Sequence, residues 1–181
     1  DGYYCTTNQS GDNLFILERE KILNGDTTAS LQSFDTPSMA TSGFASAQIL
    51  DIVDDNHPEA GNATLVYLQD DSWGGVSYDH IKLWTVNVDW DNPANSSISN
   101  PTELATTAFN SVFDGGSFSN LQQPSGPDID AVQATIMNQA QFRKFATHNS
   151  AVFNFVVNTT SSGELAGVRW YELRQDGDGQ P

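Results

Sequence analysis

Three groups of side chains in this chain have the types and spacing for chemistry. The first surrounds Trp73-Gly74-Gly75, where Asp70, Asp71 and Asp79 lie within ten residues of one another. Carboxylates with nearby backbone carbonyls are what a hard cation such as calcium selects. A fragment of a calcium-loop pattern recurs at Asp176-Gly177-Asp178-Gly179, without the later ligands. Asp70, Asp71, Asp176 and Asp178 are therefore the metal candidates, with calcium as the ion. The same Asp and Gly residues are also ordinary turn formers.

The second group lies in the segment Gly167-Val168-Arg169-Trp170-Tyr171-Glu172-Leu173-Arg174. Read as a strand, it puts Arg169, Tyr171 and Leu173 on one face and Trp170, Glu172 and Arg174 on the other. An Arg beside a Tyr on a rigid strand suits a carboxylate or a sugar acid, because guanidinium pairs with carboxylate through two parallel bonds. The competing reading is a framework one: an Arg-Glu pair and a packed Trp between neighbouring sheets. The third group, Arg143, Lys144 and His148, is the basic cluster, suited to an anionic polysaccharide or to an acidic loop of the same protein. Trp73, in its glycine-flanked loop, either stacks on a sugar ring or plugs a gap between sheets. The ligand-binding candidates are thus Arg169, Tyr171, Trp73, Arg143 and His148.

Familiar catalytic signatures are absent. His57, His80 and His148 form no His-x-x-x-His or His-Glu pattern, so zinc is not indicated. There is no Gly-x-Ser-x-Gly elbow, no phosphate loop and no Ser-x-Asp-x-Gly-x-Thr-Trp box. A paired-carboxylate hydrolase is not readable from spacing among 23 acids. A polysaccharide lyase needs a His or Tyr base near an Arg, and His80, His148, Tyr78 and Arg143 are the parts. Cys5 is the single cysteine, which rules out an intrachain disulfide. The sequons at Asn8, Asn62, Asn95 and Asn158 are near the number chance gives in so polar a chain.

The elements that must carry these groups are short strands. The stretch Thr64 to Asp91 holds two apolar runs around the Trp-Gly-Gly loop, and Ile81 to Trp90 alternates with a period of two. Its first half is apolar on both faces, as in a sheet covered on both sides. Further strands are predicted at Tyr3–Thr7, Leu14–Leu17, Ser30–Phe34, Gln48–Val53, Glu103–Phe109, Ala151–Val157 and Val168–Arg174. Turn chemistry falls at Asn8–Asp12, Asp54–Asn62, Asp91–Pro93 and Asp114–Asp128. Glu18–Leu23 predicts one helical turn stopped at Asn24-Gly25. Asp128–Phe145 fits helical and strand periods equally well. Some ten strands and at most one helix indicate an all-β sandwich, barrel or propeller. At four strands per blade the chain holds about three blades, fewer than a closed propeller needs. The expectation is antiparallel, propeller-like blades forming part of a larger propeller, with residues 1–181 as one partial domain.

Composition narrows the partners. Seven Lys and Arg stand against 23 Asp and Glu, a formal charge of -16 over 181 residues. Nucleic acid and anionic membrane both demand more clustered Lys and Arg than the seven of this chain supply. No apolar run approaches the ~20 residues of a membrane span. Few Lys with many Asn, Ser, Thr and Gly point to an extracellular setting.

Several segments, in order, resemble a family of large bacterial secreted proteins with predicted β-propeller domains. They are Asp1-Gly2-Tyr3-Tyr4, Glu18 to Asp26, Leu83-Trp84 to Trp90 with Asn92-Pro93-Ala94-Asn95-Ser96, and Gln123-Pro124. Asp130-Ala131-Val132 leading to Gln141-Phe142-Arg143-Lys144-Phe145 follows, and then the Gly167–Arg174 segment. The resemblance implies an extracellular propeller-like domain, two strands within Gln133–Phe145, and further blades of the same polypeptide as partners. It attaches no catalytic motif, so no residue role comes with it. The acidic loops at Asp51–Glu59 and Asp176–Asp178 depart from the pattern. The functional expectation is a secreted scaffold or binding module for a polysaccharide or a protein. The alternative is a carbohydrate-active hydrolase or lyase with its site on a propeller face.

Overall fold

The computed structural model describes the backbone of residues 3–7 and, in full, residues 13–42, 47–53, 55–56, 62–116, 121–161 and 164–177. Statements below concern these residues. The turn expected at Asn8–Asp12, the His57-Pro58 loop tip and Asp178 lie outside them, as does the side chain of Cys5.

The chain is all-β apart from short helical turns. Strands β1 (Tyr3–Thr7), β2 (Asn13–Glu18) and β3 (Leu31–Asp35) form a three-stranded antiparallel sheet in the order β1-β2-β3. Between β2 and β3, α1 (Arg19–Leu23) makes the single expected turn, and Gly25 follows it at a φ of 66°, a conformation only glycine adopts freely. The second sheet contains β4 (Gln48–Asp51), β5 (Ala63–Gln69), β6 (His80–Asn87), β7 (Ser97–Ile98), β8 (Thr102–Ala105), β9 (Ala140–Lys144), β10 (His148–Asn158) and β11 (Ala166–Asp176). Its order is β11-β10-β9-β4-β5-β6-β7, with β8 also paired to β6.

This second sheet is two antiparallel meanders joined edge to edge. In one, β4, β5 and β6 are followed by an outer strand interrupted at Pro101: β7 pairs at Val86–Asn87 and β8 at His80–Leu83. Proline has no N–H for the ladder, which fits the break. The other meander is β9-β10-β11. The seam between them is the parallel pairing of β4 with β9, limited to Leu50↔Ala140 and Asp51↔Gln141. The described strands make no closed ring.

β5 and β6 hold the centre. Residues Thr64 to Gln69 and His80 to Trp84 are all buried, so both faces of this meander are covered, as the apolar pattern predicts. Register places Leu65 opposite Trp84 and Tyr67 opposite Lys82. On that face Trp84 Nε1 donates to Pro37 O (3.0 Å), Lys82 Nζ to Ser38 O (2.5 Å) and Gln69 Nε2 to Ala40 O (2.8 Å). The segment after β3 thus straps the first sheet onto the second. Leu14 and Ile16 of β2 join the same core as Leu65, Trp84, Phe153 and Phe155. Each such side chain contributes roughly 1.5–3 kcal/mol of burial free energy.

Two expected elements take a different form. Asp128–Phe145 is neither a helix nor two strands: only Ala140–Lys144 is a strand, and Ile136 makes one isolated bridge to Phe155. Val132 and Ala134 adopt φ of 52° and 57°, which interrupts both regular periods. Ala134 is held there by its N–H to Ser111 O (3.0 Å) and by Tyr67 Oη donating to its carbonyl (2.9 Å). The strand expected to Trp90 stops at Asn87, because the Asp89 carboxylate gathers the Asn92 N–H (2.8 Å) and Asn95 Nδ2 (2.9 Å) into a turn. Among the described residues no helix is long and apolar enough to cross a membrane.

Candidate functional site

The Asp-rich loop between β5 and β6 is built around two buried carboxylates. Asp70 Oδ1 accepts the Ser72 N–H (2.8 Å) and Oγ–H (2.6 Å), and Asp70 Oδ2 accepts the Ser111 N–H (2.6 Å) and Oγ–H (2.8 Å). Asp79 accepts the Asp71 N–H (2.7 Å) and the Phe109 N–H (2.5 Å). Asp70, Asp71 and Asp79 offer oxygens within 4.8 Å of one another, the spacing a cation needs. Much of the lone-pair capacity of Asp70 and Asp79, however, is engaged by backbone donors. Asp71 is exposed, and its carboxyl is pushed above the usual range, first by the charge of Asp79, then by desolvation and Asp70. Asp176 stands on β11 opposite His148, in the other meander.

Trp73 closes this loop from within. It is 5% exposed and lies 5.9 Å from Tyr67, ring centre to ring centre. Its indole N–H has no acceptor among the described residues, a deficit of about 1–3 kcal/mol for a buried donor. Beside it lies a cleft of about 770 Å³ whose walls include Ser72, Trp73, Asn110, Asp114, Asn158 and Glu164. The walls are cross-braced. Asn158 N donates to Asn110 O (2.8 Å), Asn158 Oδ1 accepts from Thr160 N (3.1 Å) and Leu165 N (3.3 Å), and Glu164 Oε1 accepts the Asp114 N–H. The sequence singled out Trp73, and Asn158 only as a sequon, but not Asn110, Asp114 or Glu164. These four polar residues are brought together by long-range pairing that no local pattern announces.

Arg169 and Tyr171 face inward. Arg169 Nη1 donates to Thr107 O (3.1 Å) and Ala108 O (3.0 Å), with the guanidinium 5.6 Å from the Phe109 ring centre. Tyr171 stacks on Phe153 and on Phe155, each at 5.8 Å. These contacts are framework ones. The expected Arg169–Glu172 pair is not formed, because the two residues point to opposite faces of β11. Glu172 instead accepts from Ser150 Oγ (2.9 Å) and lies 3.5 Å from Arg174 Nε.

The outer face of β9, β10 and β11 carries the remaining candidates. Ser150 pairs with Arg143 on one side and Arg174 on the other, so the three form one row. His148 stacks on Phe145 (4.8 Å), and its Nε2 accepts from Arg174 Nη2 (2.6 Å). Lys144 alternates to the other side of β9, and Arg174 takes its place in the cluster. Further along the same face come Val152, Asn154 opposite Trp170, and Val156 opposite Val168. Trp170 is 66% and Val168 70% exposed, where a packed Trp was the framework expectation.

The parts expected for a lyase do not all meet. Tyr78 and His80 lie 4.5 Å apart, ring centre to ring centre, around Glu103. Tyr78 Oη donates to Glu103 Oε2 (2.6 Å), and Glu103 Oε1 is 3.3 Å from Lys82 Nζ and 3.7 Å from His80 Nε2. The hydrogen bond from Tyr78, helped by Lys82 and His80, holds the Glu103 carboxyl below its usual range despite some desolvation. His148 and Arg143 sit on the other meander. His80 is buried.

The chain matches no family model, and neither the curated proteins nor the solved structures contain a match to it.

Proposed function

We propose that the chain is an extracellular, propeller-like scaffold or binding module whose working surface is the outer face of β9, β10 and β11. The observation that carries this reading is the apolar strip of Val152, Val168 and Trp170, left open on an otherwise well-packed sheet. A large exposed apolar patch on a rigid sheet marks an interaction surface. The partner is another polypeptide sheet, in a further blade of the same protein or in a cell-surface protein. The basic row of Arg143 and Arg174 at one end of the strip suits an acidic edge on that partner.

The blade reading draws support from topology. Adjacent propeller blades are related by rotation about one axis, so their first strands run in the same direction. β4 and β9 open their respective meanders, and they run parallel and in contact. The extracellular reading rests on composition: few Lys and a formal charge of -16.

A photo-crosslinking amino acid placed at Trp170 in the protein in its producing cells tests the proposal. Crosslinks to a β-rich peptide of the same polypeptide or of a surface protein are the expected result. A Trp170 position that never crosslinks to protein would sink it.

The second reading is a carbohydrate-active enzyme, favoured by the convergence of Tyr78, His80, Lys82 and Glu103. Release of unsaturated or reducing ends from a polysaccharide, abolished by Tyr78→Phe in a folded protein, is its test.

A further inference from the structure

We propose that the cleft beside Trp73 is a binding site for a neutral saccharide, separate from the sheet face above. Three observations converge on it. The first is size: about 770 Å³ falls in the range of small-ligand sites. The second is the chemistry of the lining. Asp114 and Glu164 supply acceptors, and Asn110 spends its Oδ1 on the Val112 N–H (2.9 Å), leaving its amide NH₂ with no hydrogen bond among the described residues. Donors and acceptors of this kind, side by side, fit the hydroxyls of a sugar, each of which both donates and accepts. The third is Trp73 itself, which forms part of the wall and whose buried indole N–H has no acceptor among the described residues.

The same lining selects against other ligands. Among the described residues no Lys or Arg borders the cleft, and the chain carries a formal charge of -16, so a uronate, phosphate or nucleotide meets repulsion. Among the described residues Val112 and Trp73 are the only sizeable apolar side chains in the lining, too few for a lipid tail. The bracing between Asn110 and Asn158 and between Asp114 and Glu164 holds the walls in place before a ligand arrives, which lowers the ordering cost of binding.

The test is an NMR titration of the full 181-residue chain, labelled with ¹⁵N, with linear oligosaccharides of glucose, xylose and mannose. Oligogalacturonate and calcium chloride form separate arms. Indole resonances are assigned with Trp73→Phe and Trp170→Phe. The expected result is movement of the Trp73 indole resonance with at least one neutral oligosaccharide while that of Trp170 stays still. Asn110→Ala and Asp114→Asn, both at exposed positions, should each weaken binding by about fivefold, the loss of one or so net hydrogen bonds. Trp170→Ser should leave the affinity unchanged, which separates this site from the sheet face. Three outcomes overturn the proposal: no response at Trp73 to any neutral sugar, equal binding of oligogalacturonate, or the same response to calcium alone. If Trp73→Phe fails to fold, the Asn110→Ala and Asp114→Asn titrations still decide the matter.

Discussion

Asp70 and Ser111, 41 residues apart, are joined by two hydrogen bonds on a single carboxylate oxygen: the Ser111 N–H at 2.6 Å and its Oγ–H at 2.8 Å. Both residues are fully buried. The pair ties the β5–β6 loop to the segment that carries Asn110 and Val112 along the cleft wall. Asp70→Ala strands four donors at once and should cost about 3–5 kcal/mol in urea unfolding, as removing one partner of a buried charged network does. Ser111→Ala should cost about 1 kcal/mol. A double-mutant cycle should return a coupling of the same sign, since the two residues share one contact.

Core and face should respond in opposite ways to loss of a tryptophan. Trp84 is fully buried and donates to Pro37 O, so Trp84→Ala should cost about 3–5 kcal/mol. Trp170→Ser, at a position 66% exposed, should leave stability within about 0.5 kcal/mol while removing the binding of an apolar dye such as ANS. A large stability loss at Trp170 would mean the residue is packed in the free chain.

Acid should destabilise the fold in part through Glu103. Its carboxyl is held low by the Tyr78 hydrogen bond, then by Lys82 and His80. A depressed folded value means the stabilisation is fully present above the unfolded carboxylate range, near 4.3, and is lost as pH falls through the lower folded value. Tyr78→Phe should therefore lower Tm at pH 7 and flatten the Tm loss on going from neutral to strongly acid solution. Measuring Tm across that range by circular dichroism checks it.

Asp71 should do the reverse. Its carboxyl is raised, chiefly by Asp79, so the ionised form is disfavoured in the fold. That cost is present above the raised folded value and disappears as the pH drops below the unfolded one. Asp71→Asn should raise Tm at pH 7 and leave it unchanged in strong acid. An Asn variant less stable at pH 7 would argue that Asp71 is paired with a cation.

Val132 is half-exposed and left-handed, at a φ of 52°. A β-branched residue there bears roughly 1–2 kcal/mol of steric cost that glycine avoids. Part of that gain is offset by the freedom glycine adds to the unfolded chain. Val132→Gly should raise Tm by a degree or two, readable by calorimetry.

Much of the fold was legible because it depends on local alternation. The period of two in Ile81–Trp90 and the two-sided apolar character of Thr64–Leu83 mark the covered central meander. The Val168–Arg174 alternation correctly sorts Arg169, Tyr171 and Leu173 from Trp170, Glu172 and Arg174. What local patterns lack is register. Arg174 joins His148 and Arg143 only because β11 pairs with β10 and β10 with β9. The cleft escapes for the same reason, since Ser72, Asn110, Asn158 and Glu164 come from distant stretches. Asp128–Phe145 defeats both periods because Val132 and Ala134 leave the regular backbone regions, Val132 with its N–H on the Asp130 carboxylate and Ala134 held by Tyr67 and Ser111, far away in sequence.

The seam at β4 and β9 has a mechanical consequence. Two residue pairs, Leu50↔Ala140 and Asp51↔Gln141, carry the ladder from one meander to the other, against eleven between β10 and β11. β4 is joined to β5 by as few pairs, Gln48↔Val66 and Ile49↔Leu65, so under load the second sheet should tear beside β4 first, and the amides there should trade their protons for deuterium well before those of β10. The two halves would then come apart as intact pleated units, each keeping its own hairpins.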